Sequence, residues 1–242
     1  MEKALENKLE KNNLKNGNNN EFKVEYKGID QEKVKSLLDK FKVFKVIILG
    51  LHGVGKTTIS KYMELDKFET FAPTISVDII FLKVNVNDEN FLIQLWDICG
   101  NDDYAANTPN LFRNASLAMI VYAINHRQSF ENVDFWNNLL LNNAGPNCIK
   151  YLIGNKKDLE NERKISEEEG EQYKEDYSFN YFIETSPKTD CNIKKLVEKI
   201  SISLYKKIKN DKDIGNKNII LKSSKEDLQK NKKKIKKQGC CQ

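Results

Sequence analysis

From position 43 onward the chain alternates short apolar runs with segments whose apolar residues recur at helical spacing. VFKVIILG is rich in β-branched residues and ends in Gly50, the pattern of a buried strand leading into a turn. IIFLKVNV (79–86) and FLIQLWD (91–97) flank NDEN and read as a hairpin. LAMIVYAI (117–124) and CIKYLIG (148–154) are continuous apolar runs, as strands buried on both faces require, and NYFIET (180–185) reads as a final strand. Helices are predicted after Lys56, from Ser129 (Phe130, Val133, Trp136, Leu140), after Ser166 and from Asn192. Ser166 and Glu169 have capping-box spacing, and Ile193, Leu196, Val197, Ile200 and Leu204 give the last helix one apolar face. The pattern predicts an α/β fold, a six-stranded, mostly parallel sheet with helices on both faces. Ligands of such sheets sit at the C-terminal ends of the strands.

Outside this stretch the patterning fades. Residues 1–20 are rich in Asn and Lys without apolar periodicity and are expected to be disordered. Residues 30–41 place Val34, Leu37, Leu38 and Phe41 at helical spacing, as a short helix lying on the domain or as a linker. The organisation read from this is an extension over 1–41, mostly disordered, a domain over 42–207 and a flexible basic tail over 208–242.

Composition sharpens this division. The net charge of +5 conceals an asymmetry: residues 206–242 hold 13 Lys against 4 acidic residues, +9, which leaves −4 for the rest. A basic tail on a mildly acidic body is suited to an anionic surface. No aromatic residues interleave with the tail lysines, which argues against nucleic acid. No run of 18 apolar residues exists, and MEKALENKLEKNN lacks the apolar stretch of a signal peptide. Cys99, Cys148, Cys191, Cys240 and Cys241 form no CxxC pair and no disulfide framework, which suits a reducing cytosolic setting.

Four motifs fall at predicted strand ends. Gly50-Leu51-His52-Gly53-Val54-Gly55-Lys56-Thr57 is a complete GxxxxGK[ST]. Its glycines let backbone N–H groups converge on phosphate oxygens, and the following helix adds its positive end. Lys56 is expected to reach the β- and γ-phosphates and Thr57 to ligate Mg²⁺. Asp97-Ile98-Cys99-Gly100 follows FLIQLW; an Asp there can hold a Mg²⁺-bound water, and the Gly100 amide can meet a γ-phosphate. Asn155-Lys156-Lys157-Asp158 follows CIKYLIG, and its carboxylate can accept from the N1–H and N2 amino edge of guanine. Glu184-Thr185-Ser186-Pro187-Lys188 ends the last strand. The second and third motifs gain their weight from position, since Asn and Lys abound in this chain.

In this order, with a central Thr74, the motifs resemble the Ras superfamily of small GTPases. WDICGNDDYAANTPNLFRNASLAMIVYAI is similar to the Rab family, with Thr108-Pro109 and Leu111-Phe112-Arg113-Asn114-Ala115 in register, and Pro73-Thr74-Ile75-Ser76-Val77-Asp78 resembles the Rab TIGVDF segment. The resemblance covers about 43–207 and the extreme C-terminus. It implies GTP/GDP binding with Mg²⁺ and slow GTP hydrolysis, at or below the unassisted range on the order of 10⁻⁴ per second. The implied metal ligands are Thr57, Thr74 and Asp97, and the implied catalytic residues Lys56, Thr74 and Asn101. The implied nucleotide contacts are Gly53, Val54, Gly55, Lys56, Thr57, Thr58, Phe68 (over the guanine face), Thr74, Gly100, Asn155, Lys156, Asp158, Ser186, Pro187 and Lys188.

Four departures touch mechanism. Asn101 stands where most members carry the Gln that orients the attacking water, on a stem one CH₂ shorter. His52 takes a position often held by a small residue. Pro187 replaces an Ala whose amide donates to guanine O6, and proline has no N–H, leaving the Ser186 and Lys188 amides nearby. The segment from Phe68 to Thr74 is one residue short, and Ser76 replaces a Gly.

The chain closes on KKKIKKQGCCQ; Cys240 and Cys241 resemble the doubly geranylgeranylated ends of Rab proteins. Two lipid chains, or one with a basic patch, anchor stably. The implied setting is the cytoplasmic face of an intracellular membrane, cycling with cytosol. Implied partners are an exchange factor, an activating protein, a prenyl-transfer escort and effectors in vesicle trafficking. The alternative reading is a GTP-locked, hydrolysis-deficient module that recruits effectors to a membrane; a P-loop phosphotransferase fits neither NKKD nor the paired cysteines.

Overall fold

The computed structural model describes residues 22–29 and 31–210. The Asn-rich start and the basic tail with Cys240 and Cys241 lie outside the described residues.

Two elements precede the first predicted strand: β1 (Val24–Ile29) and α1 (Gln31–Leu38). They are followed by β2 (Lys42–Leu49), α2 (Lys56–Leu65), β3 (Val77–Val86), β4 (Glu89–Ile98), α3 (Asp102–Asn107), β5 (Ala115–Ala123), α4 (Arg127–Glu131), α5 (Val133–Asn143), β6 (Ile149–Asn155), α6 (Glu167–Asp176) and β7 (Tyr181–Thr185). A last helix, α7, begins at 193 and is described to 210. The chain divides into two compact units, Met1–Ile202 and Ser203–Gln242; the second is helical as far as it is described. Among the described residues no helix is long and apolar enough to cross a membrane.

The sheet has seven strands, ordered β1-β3-β4-β2-β5-β6-β7, one more than the six predicted. The strands from β4 to β7 run parallel, β3 is antiparallel to β4, and β1 is antiparallel to β3 from Val24 opposite Val86 to Ile29 opposite Phe81. The extra strand, VEYKGI, escaped the pattern because it is an edge strand broken by charges and Gly28. Only Val24 and Ile29 are fully buried in it. Ile29 clusters with Val34 of α1 and Leu92 of β4, so the segment before the predicted domain adds a strand and a short helix to it.

Elsewhere local chemistry accounts for the boundaries. The β3–β4 hairpin closes on two residues, Asn87 and Asp88, at φ 48° and 65°, as a primed turn requires. The helix expected from Ser129 is two, α4 and α5, parted at Asn132, whose side chain accepts the Trp136 indole N–H at 2.6 Å. Only half of the expected capping box forms: Glu169 N–H donates to Ser166 Oγ at 3.1 Å, while the Glu169 carboxylate pairs with Arg127 at 2.6 Å. The apolar strands β2, β5 and β6 form the centre, with Tyr122, Trp136 and Phe112 fully buried. Ile193, Leu196, Val197 and Ile200 are buried, as their spacing predicts.

Candidate nucleotide site

The parallel strands all end on one edge of the sheet, and the four motifs gather there. Gly50-to-Gly55 leaves β2 and turns directly into α2, with Gly55 as its N-cap at φ 96°. A Cβ at Gly55 would sit 2.4 Å from Asn155 Nδ2, so this position requires glycine for both its φ and its space. Lys56 is buried and its Nζ arches back to donate to the carbonyls of Gly50 (2.8 Å) and Leu51 (3.1 Å). Burial pulls its pKa down to about 8, opposed by the nearby Asp97, Cys99 and Asp102. Its cost is that of a cation held away from water until an anion meets it.

Three oxygens converge beside it. Thr57 Oγ1 donates to Asp97 Oδ2 at 2.5 Å, Thr74 Oγ1 donates to the same oxygen at 3.2 Å, and the two hydroxyls lie 2.7 Å apart. Asp97 is fully buried, and among the described residues its Oδ1 accepts no hydrogen bond. Burial pushes its carboxyl pKa up, against the Thr57 bond and Lys56. An orphaned buried carboxylate oxygen beside two hydroxyls fits a hard divalent cation, which takes oxygen ligands and is usually held by one or two carboxylates.

The Asp97–Gly100 turn closes on the first loop. His52 N–H donates to Gly100 O at 3.1 Å, and a Cβ on Gly100 would meet His52 N at 2.3 Å and Lys56 Nζ at 2.6 Å. The partly open pocket between them, about 230 Å³, is lined by Gly53, Gly55, Lys56, Thr57, Thr58, Thr74 and Gly100. His52, Phe71, Ala72, Pro73 and Cys99 complete the lining. Phe68, expected over a base, is 43% exposed and does not line this pocket; Phe71, three residues on, does. Asn101 is exposed, and its side-chain oxygen accepts Tyr104 N–H at 2.8 Å as the N-cap of α3.

The third and fourth motifs are bound to each other. Asn155, buried at the end of β6, donates to Val54 O (2.8 Å) and accepts from Thr185 Oγ1 (3.2 Å). It therefore ties the first loop to β7. Lys156 adopts the left-handed conformation at φ 66°, which turns the chain toward Asp158. Ser186 Oγ donates to Asp158 Oδ1 at 2.7 Å, and Lys188 Nζ lies 3.5 Å from Oδ2. Pro187 is buried and begins a 3₁₀ turn. The Ser186 amide, expected to remain nearby for a base, donates instead to Cys191 O at 3.0 Å, because Ser186 and Cys191 form a two-bond bridge.

A family model described as Ras family matches residues 45–206, two-thirds of the chain. The chain belongs to the Ras family. Ras-family domains are small GTPases: they bind GTP or GDP with Mg²⁺ and hydrolyse GTP, and this chain is a small GTPase switch in that sense. The match opens inside β2, so β1 and α1 precede the shared Ras-family domain.

Sequence reading missed the residues that hold the motifs. Arg163, one of three arginines, donates to both carboxylate oxygens of Glu184 (2.6 and 2.8 Å) and to both of Glu160 (2.7 Å each). Lys157 adds a second cation, 3.1 Å from Glu184, whose side chain is fully buried. These bonds lock the segment after Asp158 to β7. An arginine in a chain that otherwise uses lysine was the available signal, since bidentate pairing of a carboxylate needs a guanidinium.

Proposed function

We propose that the protein is a Rab-type switch in membrane traffic, cycling between GTP- and GDP-bound states with Mg²⁺ and hydrolysing GTP slowly. The observation that carries the nucleotide part is the convergence of Thr57, Thr74 and Asp97 beside Lys56, with Asp97 Oδ1 unmatched among the described residues.

In this reading Mg²⁺ would supply neutralisation of phosphate charge, and Thr57, Thr74 and Asp97 are the residues that would hold it. Thr74 reaches the cluster from the loop before β3, seventeen residues after Thr57, so the position of that loop reports whether a third phosphate is held. Lys56 turns from two carbonyls to phosphate oxygens. The first-loop amides and Gly100 N–H complete the cradle, and Gly53, Val54 and Thr58 contact the phosphates. Asp158, oriented by Ser186, selects guanine. Asn155 and Lys156 shape the base site, Lys188 and Pro187 flank it, and Phe68 covers it. The Rab assignment rests on the WDICG-to-VYAI stretch and the paired C-terminal cysteines.

The tail supplies the membrane part of the proposal. Prenylation of Cys240 and Cys241, with lysines worth about 1 kcal/mol each near an anionic leaflet, holds the switch on a cytoplasmic membrane face. Exchange and activating proteins, an escort and effectors act on it there.

A second reading, a GTP-locked module that recruits effectors without turning over, is favoured by Asn101. Its amide is engaged in capping α3. One experiment separates the two. Nucleotide is extracted from purified protein and identified, then GTP is loaded with Mg²⁺ and phosphate release is followed over hours. Bound GDP with slow turnover supports the switch; bound GTP without turnover supports the locked module. Failure to take up any guanine nucleotide overturns both. Partition of prenylated wild type and the Cys240→Ser/Cys241→Ser variant onto anionic vesicles tests the anchor, and equal partition refutes it.

A further inference from the structure

Asn132 stands at the start of α5, where an asparagine usually caps the helix, yet its side chain makes no capping bond. It is engaged at both ends elsewhere. Its Oδ1 accepts the Trp136 indole N–H at 2.6 Å, and its Nδ2 donates to Asp102 Oδ2 at 3.0 Å. The two partners dictate how the amide lies, because an indole nitrogen only donates and a carboxylate accepts. A flipped amide would be mismatched at both ends.

Trp136 is the fixed end of this relay, fully buried in the main core. Asp102 is the other end: it is the first residue of α3, directly after Asn101. With six residues, α3 is too short to be stable as a helix unaided. Most of its side-chain bonds are its own. Asn101 Oδ1 accepts from Tyr104 N–H, Asn107 Nδ2 donates to Asp103 O at 2.8 Å, and Thr108 Oγ1 donates to Tyr104 O at 2.6 Å. Ala105 gives the helix an apolar foothold in the core. Among the described residues, the bond from Asn132 to Asp102 is the one side-chain hydrogen bond that reaches beyond α3 and its caps. Asp102 Oδ1 is buried and accepts nothing among the described residues, so the contact is held against the cost of an unmatched oxygen. A bond opposed in this way opens more easily than one with both oxygens paired.

We propose that Asn132 and Asp102 are positioning residues for GTP hydrolysis: the Trp136–Asn132–Asp102 relay pins α3, keeps the Asn101 amide on its cap and so holds hydrolysis back. This rests on the reading of the pocket beside Gly100 as a guanine-nucleotide site. Neither residue touches the reacting atoms, and both act through Asn101. When the relay opens, the short helix frays, Tyr104 N–H loses its acceptor, and the Asn101 amide is free to turn toward the phosphate end.

The test uses the full chain loaded with GTP and Mg²⁺, and reads single-turnover phosphate release together with amide hydrogen exchange at Tyr104, whose N–H reports the cap. Asn132→Ala removes both bonds of the relay. Asn132→Asp keeps an acceptor for Trp136 but sets a carboxylate against Asp102. Adding Asp102→Asn to Asn132→Asp restores the match with the roles reversed, since the new amide at 102 donates to the new carboxylate at 132. Both single variants are expected to quicken exchange at Tyr104 about tenfold and phosphate release roughly two- to tenfold, the scale of one lost hydrogen bond. The double variant should return both readings toward wild type. In an Asn101→Ala background, Asn132→Ala should no longer change phosphate release. Val34→Ala, which loosens the α1 cluster, should leave both readings unchanged, which separates positioning from general loss of stability. Wild-type exchange at Tyr104 in both single variants overturns the hold on α3. Quickened exchange with unchanged phosphate release overturns its link to hydrolysis. So does an acceleration that survives Asn101→Ala, that Val34→Ala matches, or that the double variant fails to reverse. Wild-type protein that takes up no guanine nucleotide overturns the site reading instead, and exchange at Tyr104 still decides whether Asn132 holds α3.

Discussion

Asn101 Oδ1 accepts the backbone N–H of Tyr104 at 2.8 Å, so the one side-chain amide next to Gly100 begins a helix instead of facing the phosphate pocket. Asn is among the best N-cap residues, and Asp102 and Asp103 in the first turn favour the same helix start through the dipole.

The cap and the chemistry compete for one group. Asn101→Gln lengthens the side chain and gives up a favoured cap. It is expected to lower stability by about 1 kcal/mol while raising single-turnover GTP hydrolysis several-fold. Denaturant melts and phosphate release on the same preparation check both halves. A stable variant with unchanged hydrolysis would show that water positioning lies elsewhere.

Lys56 links nucleotide binding to pH. Its folded pKa, about 8, is below its ordinary 10.5, so between these values the unfolded chain holds a proton that the folded one has lost. The nucleotide-free fold therefore bears the full penalty below pH 8 and gains stability as pH rises from 8 to 10.5. Phosphate needs the ammonium, so nucleotide affinity should be level below pH 8 and fall by up to about tenfold per unit above it. Calorimetry in buffers of different ionisation enthalpy should record proton uptake on binding at pH 9, absent in Lys56→Met.

The Arg163–Glu184 pair should be costly to break from one side. Arg163→Ala leaves the fully buried Glu184 carboxylate with Lys157 at 3.1 Å as its remaining cation. A loss of about 3 kcal/mol is expected, at the low end for a broken buried pair. Arg163→Met combined with Glu184→Gln should recover most of it, as chemical denaturation of the two variants can show.

Gly100→Ala places a Cβ 2.3 Å from His52 N, against backbone that cannot rotate away. The two loops must part, breaking the His52–Gly100 bond at 3.1 Å. The expected cost is about 1–3 kcal/mol of stability, with GTP affinity falling more than GDP affinity because Gly100 lines the phosphate end. Equal losses for the two nucleotides would argue against that placement.

Much of this was legible in the chain because the signals are local. GLHGVGKT announces its own turn, and the apolar runs of β2, β5 and β6 announce their burial on both faces. The Thr57–Thr74–Asp97 cluster was approached through a family resemblance, since no spacing rule brings Thr74 to Asp97. What escaped depends on partners distant in sequence. VEYKGI looks like a charged linker until β3 lies beside it. The Ser186 amide looks available until Cys191 takes it, and Asn101 shows its capping role only when read with the two aspartates after it. Arg163 escaped because its partner Glu184 lies twenty-one residues on.

The pairing of β1 also bears on the order in which the sheet is completed. Val24 lies opposite Val86, and β3 has no settled place until β4 has been made to pair with it. The strand earlier in the chain therefore waits through the synthesis of α1, β2 and α2 before its template exists. Contacts of such long sequence separation are slow to close. β1 is made before its partner and docked late, and during that interval its edge is open to a chaperone, a protease or another chain.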